Sequence, residues 1–131
     1  MRALPLVGLL LVSGVAAASP CDSMRRDLSD SQRSVWAAAI AGQLNVRTVT
    51  VLQAFESKDW KIVYVQTPNS DPPFLFFHGA PDRAHFVTLW SGGARPEEEA
   101  SIRTWVIKDA PGIPSDLTKC FAWHVSNARD L

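Results

Sequence analysis

TVTVLQAFESKDWKIVYVQT, residues 48–67, with FLFFH at 74–78 and HFVTLW at 85–90, is the stretch whose reading decides the fold. β-branched and aromatic residues dominate all four runs, and such side chains suit a pleated, largely buried surface. Thr48 and Thr50 alternate with Val49 and Val51 at the start of the first run. Glu56-Ser57-Lys58-Asp59 is a polar connection short enough for a hairpin, and the segments Pro68 to Pro73 and Gly79 to Arg83 break the chain at turns. None of these connections has room for a crossover helix. Thr48–Phe55, Trp60–Thr67, Phe74–His78 and His85–Trp90 are therefore predicted to form a four-stranded antiparallel meander.

Helical patterns flank the strands. Ser29 and Gln32 have capping-box spacing, Asp30 adds negative charge to the first turn, and Trp36, Ile40 and Leu44 then recur every four residues. Asn45 is a suitable left-handed stop. Toward the C-terminus, Pro96 suits a first helical position, Glu97 to Glu99 suit the positive end of a helix dipole, and Ile102, Trp105 and Val106 share a face. Pro111 to Pro114 ends that helix, and Ser115 can cap a last one carrying Leu117, Cys120, Phe121 and His124. The predicted class is α+β, one N-terminal helix, a four-stranded meander sheet and two C-terminal helices, with the helices on one sheet face.

A sheet covered on one face alternates cleanly between apolar and polar positions. These strands do not. Trp60, Ile62 and Tyr64 oppose Val63 and Val65; Phe74 and Phe76 oppose Leu75 and Phe77; Phe86 and Trp90 oppose Val87 and Leu89. Two readings stay open. Helices and the N-terminal lead cover both faces, or one face is a contact surface for a protein partner or a second copy.

Residues 1–18 have the charged, apolar, small order of a secretory signal: Arg2, the run Leu4 to Val12, then Ala16-x-Ala18 as a cleavage site before Ser19. The run is too short for a stable membrane anchor. The expected mature protein is a single α+β domain over residues 19–131, periplasmic or secreted, with no membrane anchor after cleavage. Its two cysteines, Cys21 and Cys120, are read as a disulfide in that compartment, tying the N-terminal lead to the last helix. By the chain-entropy model, closing such a loop stabilises by at most roughly 4–5 kcal/mol. The full chain carries 13 basic and 13 acidic residues, and losing Arg2 leaves the mature chain near minus one. That balance offers no clustered basic surface for nucleic acid or anionic membrane.

No catalytic constellation is legible. His78, Asp82 and His85 share one hairpin, yet a zinc site needs three or four converging ligands, and the chain has no HExxH, CxxC or dense Cys/His cluster. Ser91 follows the fourth strand but lacks the first Gly of G-x-S-x-G, and the sheet is antiparallel where that motif needs a parallel one. The Gly92-Gly93 turn precedes a helix, but three Glu follow and no P-loop Lys does, which argues against phosphate. No residue is assigned to catalysis, to a metal or to a cofactor. Trp123 is more informative. In a helix it lies about 200° from Phe121, away from the core, where it either anchors a partner or packs on the lead brought over by Cys21.

Trp90-Ser91-Gly92-Gly93-Ala94, Ala110-Pro111-Gly112-Ile113-Pro114 and Cys120-Phe121-Ala122-Trp123-His124 together resemble the C-terminal half of small exported bacterial proteins of unassigned function. The resemblance implies a periplasmic protein and brings no catalytic residues. The resulting expectation is a non-enzymatic binding domain acting through protein–protein contact, of inhibitor or immunity type, with Trp60, Tyr64 and Trp123 as partner-binding residues. The alternatives are a small hydrolase or ligand-binding domain around His78, Asp82, His85 or Ser91, and a structural envelope protein.

Overall fold

A computed structural model describes residues 2–5, 8–9 and 18–129. The expected leader and its cleavage site lie largely outside the described residues. The element order is α1 (Asp30–Leu44), β1 (Thr50–Ser57), β2 (Trp60–Gln66), β3 (Phe74–His78), β4 (Thr88–Trp90), a 3₁₀ turn at Pro96–Glu98, α2 (Glu99–Asp109) and α3 (Ser115–Asn127). The strands form one antiparallel sheet in the order β1-β2-β3-β4. The α+β meander is as the strand spacing predicts.

The helices do not share one face, and this corrects the predicted layering. Alternation along β2 and β3 divides the core in two. Trp60, Ile62, Tyr64, Phe74 and Phe76 pack with Phe55 under α2 and α3, against Ile102, Val106, Leu117, Phe121 and Val125. Val63, Val65, Leu75 and Phe77 pack with Val51 and Ala54 under α1, against Trp36, Ile40 and Ala41. Helices on both sides answer the double-sided apolar pattern, because strands buried on two faces read as nearly continuous apolar runs.

A β-bulge sets the parity of β1. Val51 pairs with Val65 and Gln53 with Tyr64, so Leu52 is an extra residue. Without it, Val51 and Gln53 would point the same way. With it, Val51 faces α1 while Gln53 and Phe55 face α3. The Arg33 guanidinium of α1 donates from Nη1 to the carbonyl of Val51 at the bulge, at 2.6 Å.

Local chemistry fixes the ends of α1 as predicted. The Gln32 N–H donates to Ser29 Oγ at 3.1 Å, the Ser29 N–H donates to Gln32 Oε1 at 3.1 Å, and Asn45 takes the left-handed conformation at φ 54°. Expectations fail at several boundaries, β1 spanning Thr50–Ser57 in place of Thr48–Phe55 and β2 ending at Gln66 in place of Thr67. Ser115 is the first residue of α3 and not its cap; Pro114 holds the cap position and makes no side-chain cap. β4 begins at Thr88, not His85, because Gln43 of α1 claims the preceding backbone. Its Nε2 donates to the carbonyls of Pro81 (2.8 Å) and Ala84 (2.9 Å), and its Oε1 accepts from the Phe86 N–H at 2.9 Å.

Candidate functional site

The lead, residues 18–28, is a self-bonded turn followed by a short bridge. Ser19 N donates to Asp22 Oδ2 at 2.8 Å, Cys21 N to Ser19 Oγ at 3.0 Å, and Met24 N to the Cys21 carbonyl at 3.0 Å. Arg25 and Glu56 then exchange both backbone hydrogen bonds, at 3.1 and 2.7 Å, which covers the outer edge of β1. The disulfide expected between Cys21 and Cys120 is formed, with Cα atoms 4.6 Å apart, and it fastens the lead to the middle of α3. The Arg26 guanidinium lies 4.4 Å from the centre of the Phe55 ring, a cation–π contact at the end of the sheet.

Between this lead and α3 runs a groove of about 520 Å³. Trp123 and His124 line it from α3; Cys21 and Met24 form part of its floor; Asp22, Arg25, Arg26 and Asp27 line it from the lead. Trp123 is half-buried, with its inner side packed on the core. Trp123 thus lines one groove with the lead and still reaches solvent.

His124 is 1% exposed and belongs to the framework. Its ring is edge-on to Phe55, with centroids 4.8 Å apart, and its Nε2 lies 2.9 Å from Gln53 Oε1. Gln53 Nε2 donates to the carbonyl of Arg129 at 3.4 Å, so the amide oxygen faces the imidazole and His124 Nε2 carries the hydrogen of that bond. Arg129 closes the far end of this network. It donates to Tyr64 Oη at 3.4 Å, to the Pro72 carbonyl at 3.3 Å and to the Gly92 carbonyl. Its guanidinium also sits 5.7 Å from the Tyr64 ring and 5.8 Å from the Phe74 ring. The C-terminal segment is thereby stitched to the β2–β3 connection and to the turn after β4. Gln53 and Arg129 carry no motif; only their positions in the fold reveal them.

The other expected residues are dispersed. Trp60 is 5% exposed and stacks on His78, with centroids 4.8 Å apart and planes 7° apart. Tyr64 is 6% exposed and stacks on Phe74 at 4.2 Å. Both are spent on the core, so of the three aromatic residues expected at a contact only Trp123 reaches the surface. His78 Nε2 lies 3.4 Å from Asp59 Oδ2, and His85 Nδ1 bonds the Phe86 carbonyl at 2.9 Å. Asp82 lines a polar cleft with Glu56, Lys61 and Arg83, while Ser91 lies in another cleft beside Leu44 and Leu89. His78, Asp82, His85 and Ser91 are not brought to one site. Among the described residues, no three His, Cys, Asp or Glu side chains are placed to hold a metal ion, and no helix is long and apolar enough to cross a membrane.

The lead–α3 groove therefore offers an aromatic wall, charges of both signs and an apolar floor, with its one imidazole held inside by Gln53. Such an arrangement can bind. No known family model matches the chain, and comparison with curated proteins and with solved structures finds no significant match.

Proposed function

We propose that the protein is an exported, non-enzymatic binding domain that acts through contact with another protein, of the inhibitor or immunity type, in the periplasm or outside the cell. The observation that carries this reading is Trp123. It stands half-exposed on the wall of the lead–α3 groove, flanked by Asp22, Arg25, Arg26 and Asp27, while Trp60 and Tyr64 are consumed by the core. Tryptophan and arginine are the side chains most often found at the energetic centre of a protein contact, and charged rims set partner choice. The buried disulfide is compatible with an oxidising, exported location, and the resemblance of the C-terminal half to small exported bacterial proteins points the same way. The small-hydrolase alternative has no geometry behind it, because its four residues lie apart.

The test is capture of partners from periplasmic extract by tagged mature protein, followed by affinity measurement on the captured species. Trp123→Ala is expected to weaken binding by about 2 kcal/mol, roughly thirtyfold, with the circular dichroism spectrum unchanged. An unchanged affinity for Trp123→Ala overturns the assignment of the groove.

A further inference from the structure

A further cleft lies on the side of α2 and α3 away from the sheet. It measures about 170 Å³ and is lined by Arg103 and Ile107 of α2, Ile113 of the connection, and Ser115, Thr118 and Lys119 of α3. Arg103 and Ile107 are four apart and share a helix face. Ile107 is 64% exposed, more than any other large apolar residue in 18–129, although its neighbour Val106 is fully buried. Neither of the cleft's two cations stands in an ion pair with a described residue. Among the described residues the ion pairs of Arg and Lys join Arg25 and Lys61 to Glu56 and Arg95 to Glu97; none uses Arg103 or Lys119. Glu99 stands four residues before Arg103 on α2 and Asp116 three before Lys119 on α3, and Asp116 accepts from Ser57 Oγ at 2.8 and 2.9 Å and from the Leu117 N–H.

An apolar slot flanked by two unpaired cations is complementary to an apolar group that carries a negative charge. The size narrows the choice, since ordinary small-molecule sites begin near 300 Å³ and this cleft takes about one side chain. We propose that the cleft seats the C-terminal residue of a protein partner, its apolar side chain between Ile107 and Ile113 and its free carboxylate at Arg103 and Lys119. Capture of a chain-end carboxylate is a recurring mode of peptide recognition, and an arginine–carboxylate contact is among the stronger hydrogen-bonded pairs. This inference is independent of the Trp123 groove.

The experiment is a ¹H–¹⁵N titration of the mature protein with three probes: tetraalanyl-leucine with a free carboxylate, the same peptide amidated, and octanoate. The free acid is expected to shift the amides of Ile107, Ile113 and Lys119 saturably, with the amidated peptide about tenfold weaker. Arg103→Gln with Lys119→Gln is expected to weaken the free acid by a similar factor. Absence of saturable shifts over residues 103–119, equal binding of acid and amide, or tighter binding of octanoate overturns the proposal; the last result assigns the cleft to fatty anions instead.

Discussion

The two faces of the sheet are built from alternate residues of the same strands, yet they are closed by different means. The face under α2 and α3 is aromatic: Phe76 meets both Trp105 and Phe121 edge-on, at 5.7 and 4.9 Å, and Phe74 meets Phe121 at 5.2 Å. It is fastened by a disulfide, by the Gln53–His124 pair and by Arg129. The face under α1 is mainly aliphatic, and its fastenings are polar side chains of one helix, Arg33 and Gln43. The difference follows from shape. Large flat rings need several directions of contact to fill space, so two helices and a staple enclose them; small branched side chains interdigitate under one helix. One helix is also too narrow for four strands. Leu89, on the α1 side at the β4 edge, stays 38% exposed, and Val87 just before β4 46%.

Paired truncations probe this asymmetry most strongly. Phe76→Ala is expected to cost about 3–5 kcal/mol, because the ring leaves a cavity among rigid aromatic neighbours. Val65→Ala, equally buried under α1, is expected to cost about 2 kcal/mol, the worth of the two methyl groups removed. Urea unfolding of both variants measures the difference. Equal losses would mean that the two faces are equally well packed and that the contrast is one of composition alone.

Removing the staple comes next. Cys21→Ala with Cys120→Ala is expected to lower stability by about 2–5 kcal/mol, the usual range for a native disulfide in a small domain. The lead should then loosen from α3, so trypsin is expected to cut at Arg25 and Arg26 faster while amide protection in α1 is retained. Loss of protection in α1 at the same rate would show that the two faces unfold as one unit.

A smaller effect tests the polar pair. His124→Leu leaves the Gln53 amide oxygen under α3 without its Nε2–H donor, at an expected cost of about 1–3 kcal/mol. Gln53→Leu alone is expected to cost a similar amount. The double variant is expected to be more stable than the summed losses, with a coupling of about 1–2 kcal/mol from the double-mutant cycle. Additive losses would mean that the pair is held by its surroundings and contributes nothing as a pair.

Sequence and structure agree where the decisive contacts are local. The Ser29–Gln32 box, the Asn45 stop and the alternation within β2 and β3 each depend on residues a few positions apart, and each is legible. The bulge at Leu52 is not, because an extra residue exists only relative to the register of β2. The missing β-bonding of His85 and Phe86 is likewise set by Gln43, some forty residues away. The candidate site was legible in part. The disulfide and Trp123 follow from compartment and helix periodicity, but the burial of Trp60 and Tyr64 depends on α2 and α3 taking the face opposite α1. A two-sided apolar pattern announces that both faces are covered without saying by what.

The mildest change sharpens the comparison at the end where α1 starts. Ser29 is exposed, so Ser29→Ala removes no packing, only the acceptor for the Gln32 N–H and the Oγ–H bond to Gln32 Oε1 at 3.3 Å. The expected loss is about 1 kcal/mol. Amide exchange should rise in the first turn, Ser31 to Arg33, and fall back to normal by Trp36, which is anchored in the core. If the whole of α1 exchanges faster, its cap nucleates the helix and the aliphatic face depends on local sequence. If only the first turn responds, packing of Trp36, Ile40 and Ala41 holds the helix, and the two faces differ in their fastenings but not in what drives them together.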